Sequence, residues 1–288
     1  MDPSDPGAAE SFEQLLQPTS LGAHRFAGIA GGGHPRRTFG GVLAAQALAA
    51  AAATVEGKHC QALHLLFLAG GDADLGVDLE VGEVRNGARF SARQVRVTSE
   101  GRPLVQALGS FHAGDEGPDL GVMMPQAPSP DTLEDQRETR ARNAARKGVQ
   151  HSNYVAERWL DLRPVELADA TSKDGGGHRL LWFRAREPLP DDPIVHQAAI
   201  TFASDVGLVF VNLQMLNASG DTVRLNAASL DHAIWFHRPA RADEWLLCVQ
   251  RSTVMTGGRG QSHAEIFDRE GNLVATVAQS LLARYAAK

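Results

Sequence analysis

Gly87–Phe111 reads GARFSARQVRVTSEGRPLVQALGSF, and Gly257–Leu281 reads GGRGQSHAEIFDREGNLVATVAQSL. Laid together without a gap, they share a Gly and an Arg at the start, an apolar run, a Glu-Gly turn and a second apolar run that carries a late Ser. Two apolar runs joined by a Gly turn read as a β-hairpin, so the chain reads as one fold used twice. The copies differ where it matters for chemistry: Gln279 stands where the earlier copy has Gly109.

Working outward, the Ala-rich run Gly40–Val55 has almost no β-branched residue before its end and reads as a helix packed closely on something flat. Strand-like segments follow at Gln61–Leu68, Val77–Val84, Phe90–Thr98 and Leu104–His112, with turns at Asn86-Gly87 and Glu100-Gly101. From Gly114 to about Gly177 the composition shifts to Pro, Gly and charge, which predicts a connection holding a short solvent-facing helix within Leu133–Lys147. The second unit then offers a strand at Arg179–Arg184 and a helix at about Pro193–Asp205. Strands follow near Arg224–His237, Glu244–Ser252, His263–Asp268 and Leu273–Arg284. The expected division is residues 12–113, a connection over 114–160, and residues 161–288.

Composition narrows the function classes. With 28 basic against 34 acidic residues among 288, no global field draws the chain to nucleic acid or an anionic bilayer. Cys60 and Cys248 lack metal-ligand or redox spacing and sit in apolar runs, so a reducing, cytoplasmic setting is expected. No basic-then-apolar leader is evident, and no apolar run long enough to span a bilayer escapes polar interruption. No metal or cofactor is expected.

In the second helix, Val195, Ala198, Ala199, Phe202 and Val206 form an apolar stripe with Asp205 at its edge. A carboxylate there opposes the helix dipole and, if buried, loses hydration. Asp205 is therefore either a functional acid or an exposed cap at a frayed helix end beside Gly207. On the strand LNAASLDHAIWFHRP (Leu225–Pro239), strict alternation puts Ser229, Asp231, Trp235 and His237 on one face. His232 and His237 read as architectural, because buried polar pairs more often hold structure than perform catalysis.

HQAAITFASD (His196–Asp205), SLDHAIWFHRP (Ser229–Pro239), EWLL (Glu244–Leu247), Arg259-Gly260 and LVATVAQ (Leu273–Gln279) together resemble acyl-CoA thioesterase II, a double hotdog enzyme. FGGVLAAQAL (Phe39–Leu48), NGARFSARQV (Asn86–Val95) and Met124–Pro128 extend the resemblance across nearly the whole chain. It implies an α+β double hotdog, two antiparallel sheets each wrapped on a central helix. It further implies hydrolysis of acyl-CoA by a water oriented by Asp205, Ser229 and Gln279, with a homodimer or larger even assembly as the expected state. Gly40, Gly41, Arg89, Arg259 and Gly260 are the candidate substrate contacts. Two departures stand out: Ser229 where the family often has Thr, and Ala69-Gly70 where it usually has Arg-Pro.

Thioester hydrolysis needs a carboxylate to take the water's proton and donors aimed at the oxyanion; backbone N–H groups at Gly40-Gly41 or near Val195 could supply the latter. Matching the halves sets Ala49, Cys60 and Gly109 opposite Asp205, Ser229 and Gln279, so one competent site per chain is expected. Absence of G-x-S-x-G argues against Ser229 as a covalent nucleophile. A hotdog hydratase would pair an Asp with a His near a helix start, where His196 is the partial match. A non-catalytic acyl-CoA-binding scaffold is the remaining reading, and the joint presence of Asp205, Ser229 and Gln279 disfavours it.

Overall fold

The computed structural model describes residues 9–31, 37–149, 154–166, 177–218 and 225–285. The first half runs α1 (Phe12–Leu16), β1 (Thr19–Gly22), β2 (Arg25–Gly28), α2 (Gly40–Ala52), β3 (His59–Phe67), β4 (Val77–Asn86), β5 (Phe90–Ser99) and β6 (Arg102–His112). A connection carries α3 (Gln136–Lys147). The second half then runs α4 (Val155–Trp159), β7 (Leu160–Val165), β8 (His178–Ala185), α5 (Pro193–Ser204), α6 (Leu208–Ala218), β9 (Leu225–Ser229), β10 (Asp231–Phe236), β11 (Leu246–Thr256), β12 (Arg259–Phe267) and β13 (Leu273–Tyr285).

This is the expected α+β double hotdog, and its two sheets meet edge to edge at β3 and β10 to run as one antiparallel sheet. The order is β1-β2-β4-β5-β6-β3-β10-β13-β12-β11-β8-β7, with β9 paired to β13. Read outward from that seam, each half repeats the other strand for strand, and the short helices α1 and α4 correspond, Phe12 stacking on Trp159 at 5.8 Å. β7 and α6 were not expected from the sequence, and within the single strand expected near Arg224–His237 the described residues form two, Leu225–Ser229 and Asp231–Phe236, interrupted at Leu230. α5 and α6 together form an apolar stretch, Pro193–Leu216, long enough to cross a membrane, but it is mostly buried in the fold and broken between Ser204 and Leu208.

α2 and α5 lie side by side in the hollow of the sheet, the start of α2 against the end of α5. Alanine and glycine permit this contact: a Cβ on Gly41 would fall 2.5 Å from the carbonyl oxygen of Phe202, closer than any side chain tolerates. Matching the helix ends sets Asp205, the residue after α5, opposite Ala53, the residue after α2, rather than Ala49. Either partner is an alanine, so the asymmetry stands.

The hairpin repeat also needs one correction. In β5 the odd-numbered residues Ser91, Arg93, Val95 and Val97 face inward, whereas in β12 the even-numbered Gly260, Ser262, Ala264 and Ile266 do. An ungapped match would send one set to the wrong face. The extra residue sits in the turn. Ser99 pairs with Arg102 across Glu100-Gly101 in the first hairpin, whereas Asp268 N–H reaches Asn272 across a turn one residue longer in the second. Gly109 and Gln279 remain equivalent, since inward-facing residues are odd-numbered in both β6 and β13, and Arg93 becomes the counterpart of Ser262.

Arg93 is 1% exposed. Its guanidinium donates to the Thr54 carbonyl (2.9 Å) and hydroxyl (2.9 Å), to Arg85 O (2.8 Å) and to Asn86 Oδ1 (3.1 Å), placing a cation just beyond the C-terminal end of α2 where the dipole favours it. Arg93→Met should lower stability by roughly 2–4 kcal/mol, because it removes at once the donors to four part-buried acceptors that no methionine can satisfy. A urea unfolding midpoint equal to that of the wild type would contradict this.

Candidate active site

Asp205 sits at the end of α5 with helical backbone (φ −80°, ψ −9°) and is 7% exposed. The adverse end of α5 is offset by the start of α2, whose Gly41 N–H donates to the carboxylate. Only glycine at position 40 fits beside it, since a Cβ there would lie 2.8 Å from Asp205 Oδ2 and from the Phe67 ring. Ser229 and Gln279 supply two further donors to the same carboxylate. Burial nevertheless prevails: it raises the Asp205 pKa from 3.8 to about 7 against all three hydrogen bonds.

Ser229 reaches the site because its strand slips. Leu230 is a bulge, after which His232 and Ile234 point inward, although they are an odd number of residues from Ser229. Asp231 closes the bulge by accepting the Ser280 N–H at 2.7 Å. It therefore does not share the inward face with Ser229 that simple alternation predicts. His237 bonds Thr276 Oγ1 at 3.0 Å and serves the sheet. Gln279, fully buried on β13, donates through Nε2 to Ser229 Oγ at 2.9 Å. Its Oε1 lies 2.6 Å from His232 Nδ1, and His232 Nε2 lies 2.8 Å from the hydroxyl of Ser204, the neighbour of Asp205. The five side chains Asp205, Ser229, Gln279, His232 and Ser204 thus form one connected group.

The same bulge recurs in the first half. Cys60 pairs with Phe111 just before the irregularity at Gln61, as Ser229 pairs with Leu281 just before Leu230. Cys60, Leu63 and Gly109 occupy the places of Ser229, His232 and Gln279, and burial pushes the Cys60 thiol up to about 12. A Cβ on Gly109 would already lie 3.0 Å from the Phe111 ring. The first-half counterpart is apolar and filled.

A cavity of about 1200 Å³ opens on Asp205 and Ser229 and is walled by Gly40, Leu43, Phe67, Val206 and Phe210, with Gln136, Arg140, Tyr154 and Arg179 among its polar residues. Sequence reasoning had no periodic signal for these polar residues, because they arrive from α3 in the charged connection, from the residue before α4 and from the start of β8. Ala69-Gly70, the departure noted above, also lines it. Gly40 is in the wall and Gly41 behind it. Arg89, Arg259 and Gly260 are not among its lining residues. Arg89 is an exposed hairpin residue paired with Asp115, Arg259 begins β12 just after the Gly257-Gly258 turn, and Gly260 makes room for Asn212 of α6. Val195 and His196 lie at the far end of α5 from Asp205, about 14–15 Å along the axis. His196 Nδ1 there accepts the Ala242 N–H. His196 is thus remote from Asp205, and the two do not form an acid/base pair.

Comparison with known proteins adds the following. Residues 31–112 match the family model described as the acyl-CoA thioesterase N-terminal domain, and residues 125–283 match the acyl-CoA thioesterase C-terminal domain. The chain is 31% identical over 255 residues to human acyl-coenzyme A thioesterase 8, covering 85% of this chain and 79% of that one. It is 28% identical to acyl-CoA thioesterase 2 of Haemophilus influenzae, covering 87% and 88%. The crystal structure of acyl-CoA thioesterase II TesB2 from Mycobacterium marinum superposes with a TM-score of 0.78 at 33% identity, covering 96% of this chain and 97% of that one.

The elevated acid has a thermodynamic signature. From about pH 4 to pH 7 the folded chain holds a proton on Asp205 that the unfolded chain has released, so this group's contribution to stability falls as pH rises through that window and remains a cost above it. Asp205→Asn should therefore melt above the wild type at pH 8, by a few kcal/mol at most, and the gap should narrow toward pH 5. A variant that melts lower than the wild type at pH 8 would contradict the burial of a charge here.

Proposed function

The chain belongs to the acyl-CoA thioesterase II family and is a thioester hydrolase; from that premise we propose that Asp205, with Ser229 and Gln279, activates the attacking water. The observation that carries this reading is the carboxylate itself, buried at the cavity wall with its pKa raised to about 7. A base whose pKa lies near the working pH combines a useful fraction in the ionised form with real proton affinity.

Three of the roughly four acceptor positions of the carboxylate are taken by Gly41, Ser229 and Gln279. The remaining position faces the cavity, where it can hold a water by one of its protons. As that water's oxygen bonds to the thioester carbonyl carbon, its proton passes to Asp205. The carbonyl π-electrons move onto oxygen, where the N–H of Gly40 is the donor we assign: it lines the cavity, and Gly41's N–H is already committed. Collapse of the tetrahedral intermediate breaks the C–S bond, and the proton on Asp205 leaves with the coenzyme A thiolate. Ser229 and Gln279 keep fixed protonation throughout and hold the carboxylate in line.

The apolar wall contributed by Leu43, Phe67, Val206 and Phe210 suits an acyl chain, and the apolar counterpart in the first half supports one catalytic site per chain. Asp205→Asn should bind acyl-CoA and lose roughly 100-fold or more in kcat. Wild-type kcat/KM should fall about tenfold per pH unit below an apparent pKa near 7 and level off above it. A folded Asp205→Asn enzyme within a few-fold of wild type, or a profile flat from pH 5 to 8, would overturn the assignment of the base.

A further inference from the structure

We infer that His232 is a positioning residue that fixes which way the Gln279 side-chain amide points, and so whether Gln279 can donate to Asp205. The inference rests on the thioesterase reading, and it follows from donor and acceptor chemistry taken one bond at a time. An ionised Asp205 has only lone pairs, so the Gln279 atom facing it must be the amide nitrogen. That nitrogen has two protons, and Ser229 Oγ at 2.9 Å takes the other. Gln279 Oε1 then faces His232 Nδ1 at 2.6 Å, and two bare lone pairs at that distance would repel, so Nδ1 must carry a proton. His232 is 1% exposed, and burial lowers its pKa to about 4, so the imidazole is neutral with its single proton on Nδ1. Nε2 is then an acceptor, and the Ser204 hydroxyl at 2.8 Å donates to it.

With Asp205 ionised, each bond along Ser204, His232, Gln279 and Asp205 thus has one donor direction, and reversing any one of them reverses its neighbours. With the other tautomer, His232 would donate from Nε2 to Ser204, whose hydroxyl would turn to the Thr201 carbonyl, also 2.8 Å away. The bare Nδ1 would then pull the Gln279 amide over, turning its oxygen toward the carboxylate. Ser204 adjoins Asp205 in the chain, so His232 also ties the strand that carries Ser229 to the helix that carries the base. The first half holds Leu63 at this place and has no glutamine to orient.

Asparagine and glutamine separate the two roles of the ring, because the Asn amide occupies the Nδ1 position and the Gln amide the Nε2 position. His232→Asn keeps the donor to Gln279 and should retain kcat within about 5-fold. His232→Gln and His232→Leu should lose roughly 10- to 100-fold in kcat, with KM changed by less than about 2-fold. In a Gln279→Ala background, His232→Leu should cost nothing further in kcat, because the group it orients is gone. Nitrogen-15 spectra of the unaltered enzyme should show a neutral His232 protonated at Nδ1, a reading that needs no variant to fold. An Nε2-protonated ring, equal kcat losses for Asn and Gln, or full additivity with Gln279→Ala would each overturn the inference. Failure of the underlying reading would look different: the wild-type enzyme would not hydrolyse acyl-CoA.

Discussion

The structure is organised around a carboxylate kept out of water between the end of one helix and the start of another. Asp205 would be ruinous in isolation at the tail of α5, where both the dipole and the loss of hydration oppose its charge. It is tolerable because the start of α2 presents the Gly41 N–H to it, and α2 can do so only because Gly41 lets its backbone come against the Phe202 carbonyl. The alanine-rich character of α2 follows from the same demand, since bulkier residues would hold the helices apart. Packing and electrostatics here are one requirement viewed from two sides.

The two halves show what that requirement displaces. At the end of α2 the chain places a buried cation, Arg93, with hydrogen bonds to the Thr54 carbonyl and hydroxyl. At the matching end of α5 it places an anion, and the residue equivalent to Arg93 is Ser262, which bonds the Leu208 carbonyl of α6 at 2.7 Å instead. One half adopts the arrangement that stabilises a helix terminus. The other gives that stability up and gains an acid that titrates near neutrality. A half with a stabilised helix end and a half with a buried acid share one sheet, so the cost of the second is borne by a scaffold much larger than itself.

Much of this was legible in the chain. The hairpin repeat revealed the doubling, the alanine run marked the central helix, and Gln279 against Gly109 marked the copy that holds a buried polar group there. What escaped notice had physical reasons. The bulges at Gln61 and Leu230 leave no residue signature, yet each reverses the faces of everything beyond it, which is why strict alternation set Ser229 with Asp231 instead of with His232. The extra turn residue before Asn272 is hidden because Glu-Gly aligns in both copies. The end of α5 at Asp205 was legible beside Gly207, whose backbone is left-handed (φ +91°), but α6 was not, because an apolar run straight after a helix end carries no start signal of its own. Arg179 lies at the start of a strand that is legible in the sequence and Tyr154 precedes a short helix that is not, and only their convergence on the cavity gives them meaning.

The bulge shared by both halves sets backbone and chemistry apart. Cys60 and Leu63 already point where Ser229 and His232 point, on a strand slipped at the same place and paired to its neighbour in the same register. The first half thus offers the same strand geometry, occupied by a thiol, a leucine and an aromatic ring. Anyone wishing to give this chain a second reaction centre would have no loop to build and no strand to shift. The work would lie in evicting the Phe111 ring from the space a glutamine needs and in finding another anchor for the end of α2 once Arg93 had to make way.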